Sequence, residues 1–337
     1  MNLLCLILTL SLAFAGCRTE SAGEEHPADA VPAGSAAGED TAEPYVYTFN
    51  PHVIAKEYKD IYGEEFETQF IAFCDALLKT EDTFPCPSAE RFHQLLAVSG
   101  TCFPPAQELI DREKTAVTDG VCYLVYRCEK EEAADMLERF KKKVTEVITS
   151  AVPYEEPDVV KAMELFTAVA RKDTADESVT LEDALKLRSY RAIMQDTGIC
   201  QEIAGEYIYY LLQTGINAVP CSSLNADQSD AHEWVLVQLN GKYYHMDPTF
   251  AAGYPDSLYF FGMDDIQREY YGNFPPENYT VADTDLLNRE AYAVTDRTFE
   301  NLWLAERYEI DHVRKTVKVT EINTGARHEY AFSEFEG

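Results

Sequence analysis

The chain has 337 residues, of which 46% are hydrophobic and 12% aromatic, enough for a substantial core in one large domain or two. Its formal net charge of -31 excludes a nucleic-acid partner, because no basic stripe could offset that field, and favours a soluble, self-repelling surface. The cysteines form no CxxC and no close Cys/His group, so their spacing offers no metal site, and no organic cofactor is implied.

Residues 3–15, LLCLILTLSLAFA, are too short to span a bilayer and have the length of the apolar region of an export signal. The tetrad Phe14-Ala15-Gly16-Cys17 resembles the lipobox of bacterial lipoproteins, with Phe14 where that pattern prefers Leu and no Lys or Arg before the apolar run. The resemblance implies cleavage after residue 16, a lipid on Cys17 and an exported bacterial protein on the outer side of the cytoplasmic membrane, attached through that lipid only. An ordinary secretory peptide is the alternative. Residues 18–44 are small, acidic and rich in Pro and Gly, the composition of a tether.

Asn50-Pro51 reads as a helix start continuing through HVIAKEYKDIY. Phe66, Phe70, Phe73, Cys74, Leu77 and Leu78 mark a second helix with Cys74 on its apolar face, and Ser88 opens a third that leaves His93 toward solvent. Residues 116–128 are a hairpin or strand pair turned at Asp119-Gly120. Two more helices follow, one with the stripe Met136, Leu137, Phe140, Val144 and Ile148 opposite a solvated basic run, the other with Val159, Val160, Met163, Phe166 and Val169. A further helix is expected from Thr180, leading into Gln195.

The stretch from Gly198 to Asp247 carries the chemistry. Ile203, Ala204, Tyr207, Ile208, Leu211 and Leu212 recur at helical steps, which puts Cys200 at or near a helix N-terminus with Asp196 or Thr197 available as cap. Backbone N–H groups and the helix dipole there stabilise a thiolate and can receive an oxyanion. Downstream, Asn240-Gly241 signals a two-residue hairpin loop after the polar NADQSD segment. That loop pairs Leu239 with Lys242, Val237 with Tyr244, Val235 with Met246 and Trp234 with Asp247. His232 and Asp247 then become diagonal neighbours on one face, with His245 on the same face as the rival base. A thiol at a helix start and a histidine oriented by a carboxylate are the parts of a nucleophilic cysteine site.

After Pro248 the chain is rich in Tyr and Phe, and YAVTD, TVKVTEIN and HEYAFSEF are strand candidates extending an antiparallel sheet. Setting Cys17 and a nucleophile aside, Cys74, Cys86, Cys102, Cys122, Cys128 and Cys221 have the parity for three disulfides in an exported chain. Asn278 heads an Asn-Tyr-Thr triplet, a glycosylation acceptor only in a host that glycosylates.

Gly198-Ile199-Cys200, the block Ala231-His232-Glu233-Trp234-Val235, and the tyrosine-rich strand ending Met246-Asp247-Pro248 resemble, in this order, the transglutaminase-like superfamily over about residues 180–260. The resemblance implies a papain-like α+β fold: a helical layer with the nucleophile helix packed on an antiparallel β-sheet. It implies Cys200 as nucleophile, His232 as base and acid and Asp247 as orienting carboxylate, with Gln195 and Tyr190 as candidates for an oxyanion-binding side chain. The expected organisation is a signal peptide over 1–16, a lipidated linker over 17–44, a helical region over 45–175 and a catalytic core over 176–337. The expected activity is thiol-dependent acyl transfer on protein or cell-wall peptide amides, read first as a cysteine peptidase or amidase. Glutamine-directed crosslinking and a non-catalytic surface binding module are the alternatives.

Overall fold

The computed structural model describes residues 42–176, 178–179, 187–224, 231–272 and 279–336. The export segment, Cys17, most of the tether, the polar loop 225–230 and Asn278 lie outside them, as do residues 180–186 of the helix expected from Thr180; of that helix 187–189 are not helical and Tyr190–Gln195 are.

The helical layer comes first. Helix α1 (Lys56–Tyr62) begins later than the Asn50-Pro51 signal, because the Asn50 side chain accepts from the His52 N–H at 3.0 Å and closes a local turn instead. Helix α2 (Glu65–Leu78) buries Phe66, Phe70, Phe73, Cys74 and Leu77. After strand β1 (Thr83–Pro85), helix α3 (Ala89–Cys102) is capped by Ser88, whose hydroxyl accepts from the Arg91 N–H at 3.1 Å. Helix α4 (Pro105–Leu109) leads to strands β2 (Ala116–Thr118) and β3 (Val121–Tyr123). These turn at Asp119 and Gly120, both at positive φ, and β3 also pairs with β1. Helix α5 (Lys130–Ala151) puts Ala133, Leu137, Phe140, Val144 and Ile148 inward, and helix α6 (Asp158–Lys172) is buried on most sides. Each large apolar side chain in such a stripe contributes about 1.5–3 kcal/mol over exposure, which outweighs the solvated basic face of α5.

Strand β4 (Thr174–Ala175) runs parallel to β5 (Thr197–Gly198), with helix α7 (Tyr190–Gln195) between them in the chain. Helix α8 (Cys200–Gln213) is the centre of the molecule, buried from Glu202 to Gln213, more than the one apolar face its periodicity predicts, because other elements cover its polar positions as well. It packs on α3 and α6 and on two strands of an antiparallel sheet, β6 (Ala218–Leu224) and β7 (Ala231–Leu239). With β8 (Lys242–Met246) and β9 (Thr280–Val281) the sheet order is β8-β7-β6-β9. The β7–β8 register matches the sequence reading from Leu239↔Lys242 to Val235↔Met246, and Asn240 and Gly241 both take positive φ at the turn.

Other expectations are corrected. The expected Trp234–Asp247 pair does not form, since β8 ends at Met246 and the Asp247 N–H turns away to donate to the Phe260 carbonyl at 3.0 Å. The last strands do not extend the main sheet. Strands β10 (Ala305–Asp311), β11 (Thr316–Glu321) and β12 (Arg327–Ala331) form their own antiparallel sheet, and residues 293–296 after a short 3-10 turn at Arg289–Tyr292 are not a strand. The three disulfides are absent: among the described residues the cysteines are thiols, and Cys74, Cys86, Cys102, Cys122 and Cys221 are buried as small apolar groups. No described helix is long and apolar enough to cross a membrane.

Candidate active site

Cys200 is the first residue of α8 and is half-buried. Neither Asp196 nor Thr197 caps the helix. Asp196 takes a left-handed conformation that ends α7, and Thr197 lies in β5, so Ile199 becomes the N-cap. The side chain of Glu202 reaches back to accept from the Ile199 N–H at 3.0 Å, satisfying one of the donors a helix start leaves open. Glu202 is fully buried and also binds Arg191, which reaches Asp176 at 2.7 Å. Gly198 is closely packed here: a Cβ would stand 3.1 Å from the Glu202 Cβ and 3.3 Å from the Ala192 Cβ, tighter than ordinary contact. The turn carrying Cys200 is therefore braced from both sides.

The direction of α8 follows from its connections. Its C-terminal end leads through Gly215 into β6 at Ala218, which faces Val237, while midway along it the Tyr207 hydroxyl donates to Met246 Sδ at 3.1 Å. Fourteen helical residues rise about 21 Å, and the strand from Val237 back to His232 covers about 17 Å. The helix thus runs along β7 with its N-terminus toward the end where His232 sits.

His232 and Asp247 are brought together. His232 Nε2 lies 2.7 Å from Asp247 Oδ2, and the two side chains are 6% and 0% exposed. The other Asp247 oxygen accepts from the Phe250 N–H at 3.0 Å, so Asp247 also caps the short helix α9 (Pro248–Ala251). That cap holds the Phe250 ring against His232, centroids 4.5 Å apart and nearly parallel. On the Oδ2 side Arg268 Nη2 stands 3.3 Å away, projecting from helix α10 (Asp265–Gly272) with its guanidinium over the Trp234 ring at 4.2 Å. Burial alone would push the Asp247 carboxyl up. His232, by charge and hydrogen bond, then Arg268 and the Phe250 N–H hold it below the usual carboxylate range.

His245, the rival base, has both ring nitrogens committed. The Trp234 Nε1–H donates to His245 Nδ1 at 2.9 Å, so the ring proton sits on Nε2, which faces Asp265 Oδ1 at 2.8 Å. The ring is fully buried, and that burial lowers its pKa against the opposing pull of Asp265. It is a neutral structural histidine. Tyr190 stacks on Phe140 of α5 at 5.7 Å, and Gln195 is exposed at the end of α7. A groove of about 690 Å³ between α5, α6 and β10 is lined by Lys143, Glu164, Arg171, Tyr308 and His312, and includes none of Cys200, His232 and Asp247.

Phe250 and Arg268 escaped the sequence reading. The first had a signal, since Asp-Pro-Thr-Phe has the three-residue spacing of a cap. The second had none: its partner lies in another element. Among the described residues no group of three or more His, Cys, Asp or Glu side chains could hold a metal ion.

No family model matches the chain, and no curated protein matches it. Among solved structures it is similar to one described as a crystal structure of a TGase, with 14% identity, a TM-score of 0.29, and coverage of 36% of this chain and 34% of that one. The chain thus spans about a third of the structure it matches.

Proposed function

We propose that the protein is a cysteine-dependent acyl-transfer enzyme acting on protein or peptide amides. The observation that carries this reading is the buried His232–Asp247 pair at 2.7 Å, set at the end of β7 toward which the N-terminus of α8 is directed. Asp247 engages Nε2, so proton exchange with the Cys200 thiol runs through Nδ1. The thiolate attacks the amide carbonyl, helix N-terminal N–H groups receive the oxyanion, and imidazolium protonates the leaving amine. Water resolving the thioester makes the enzyme a peptidase or amidase, and an amine resolving it makes a crosslink. We place the site outside the cytoplasm, held by a lipid on Cys17, from residues 3–17 alone.

The test is mass spectrometry of the full chain incubated with protein and cell-wall peptides and an added primary amine, with Cys200→Ala as control. Cleaved or amine-coupled products that depend on Cys200 support the proposal and tell the two outcomes apart. In parallel, iodoacetamide should label Cys200 faster than the buried cysteines, at a rate lost in His232→Ala. Uniform slow labelling with no product would sink the catalytic reading and leave a binding module.

A further inference from the structure

Asp247 has two nitrogen partners at one oxygen. His232 Nε2 lies 2.7 Å from Oδ2 and Arg268 Nη2 lies 3.3 Å from the same atom. The guanidinium is 2% exposed and is held face-on by Trp234 at 4.2 Å, with Phe250 at 5.5 Å on its other neighbour ring. Both aromatic rings that fix Arg268 also stack on His232, Trp234 at 6.2 Å and Phe250 at 4.5 Å. A charge buried to this degree is expensive unless opposed, and the Asp247 carboxylate stands in ion-pair range of it. Among the described residues, the other titratable groups facing this cluster are the Cys221 thiol of β6, Tyr279 against Trp234, and the His245–Asp265 pair, with Asp264 beside it at the start of α10.

We propose that Arg268 is a positioning residue that balances the Asp247 carboxylate, so that Asp247 orients His232 without supplying a net counter-charge to it. In a triad with an uncompensated aspartate, the carboxylate stabilises the imidazolium. Here the Asp247–Arg268 pair is electrically neutral and directional, and acts on His232 as a buried amide would. The imidazolium formed during turnover is then balanced by the Cys200 thiolate, and the pair exists as thiolate and imidazolium together or as thiol and imidazole together. This rests on the proposed role of Cys200 and adds how the site sets its working pH.

Two measurements on the full chain test it. The first is the pH profile of Cys200 alkylation by iodoacetamide in wild type, Arg268→Met and Arg268→Lys. Removing the guanidinium leaves an anion that disfavours thiolate and favours imidazolium, so the Arg268→Met profile should move about one unit toward higher pH. Arg268→Lys, which keeps the charge, should stay within about 0.3 unit of wild type, a bound set by the tenfold-per-unit relation. A slowed but unshifted Arg268→Met profile would overturn the proposal, because a purely structural role changes rate without moving the midpoint. The second is thermal stability, which needs no reactive thiol. Asp247→Asn placed in the Arg268→Met background should recover at least about half of the stability lost, or restore folding if Arg268→Met does not fold, since the two buried charges are removed together. A double variant no more stable than Arg268→Met would overturn the proposal. If wild-type Cys200 labels with the profile of an unactivated thiol, its midpoint at about 8.5 and unmoved by His232→Ala, while the charge rescue holds, the catalytic reading fails and the balance between Arg268 and Asp247 stands.

Discussion

Trp234→Phe isolates the group that keeps the two histidines apart in role. The indole donates to His245 Nδ1 at 2.9 Å and supports Arg268 at 4.2 Å, and it is 1% exposed. Phenylalanine keeps an aromatic face but no donor, so a fully buried imidazole nitrogen loses its partner, at about 1–3 kcal/mol. The smaller ring leaves a void and weakens the cation–π contact, which adds about 1 kcal/mol. Urea unfolding at pH 8, followed by circular dichroism, should give a loss of about 2–4 kcal/mol with an unchanged denaturant slope. A double-mutant cycle with His245→Leu separates the hydrogen bond from the packing: the cost of Trp234→Phe should fall by about 1–2 kcal/mol when the acceptor is gone. An equal cost in both backgrounds would refute the assignment of His245 as a tautomer locked by Trp234, and would reopen its candidacy as the base.

Asp247→Ala and Asp247→Asn should differ, because asparagine keeps the cap on the Phe250 N–H and alanine does not; alanine should be less stable by about 1 kcal/mol in chemical denaturation. The His245 ring has a pKa depressed by burial, so its contribution to stability is complete above the unfolded value of 6.5 and is lost as pH falls from there through the folded value. Unfolding midpoints should therefore drop as pH falls below about 6.5, and His245→Gln should flatten that part of the curve. Asp247, also depressed, adds a second loss of stability only below about pH 4, as pH falls through its folded value. Gly262→Ala should destabilise by about 3 kcal/mol or more, since φ is +66° and a Cβ would stand 2.5 Å from the Phe299 ring; a change in melting temperature within error would contradict that clash.

What could be read from the chain was what is encoded locally. The apolar stripe of α8, the Ser88 cap and the Asn240-Gly241 turn depend on residues within a few positions of one another, and the hairpin register followed from the turn alone. The approach of His232 to Asp247 was legible for that reason, although the route differs: Asp247 has left the ladder and is aimed by the α9 cap. The true N-cap of α8 was hidden because Glu202 competes for the Ile199 N–H and Asp196 is used to end α7. Arg268 was illegible because its meaning comes from three elements meeting, Asp247 after β8, Trp234 on β7 and its own helix. The separate C-terminal sheet was likewise invisible, since alternation marks a strand and does not say which sheet receives it.

The turn of the β7–β8 hairpin is not held by its own strands alone. Asn240 Nδ2 donates to the Phe335 carbonyl at 2.8 Å, across 95 residues of sequence, and Lys242 beside it pairs with Asp296 at 2.7 Å. The C-terminal end of helix α8, by contrast, is tied to a segment that precedes it, with Gln213 bound to Tyr47 and Asn50. The hairpin that carries His232 is thus tied at its turn to the C-terminal segment, and the helix that carries Cys200 is tied at its far end to residues near position 50. Losing the Asn240–Phe335 bond would loosen the hairpin turn and leave the Gln213 contacts to Tyr47 and Asn50 in place, so the two halves of the candidate site have separate peripheral ties.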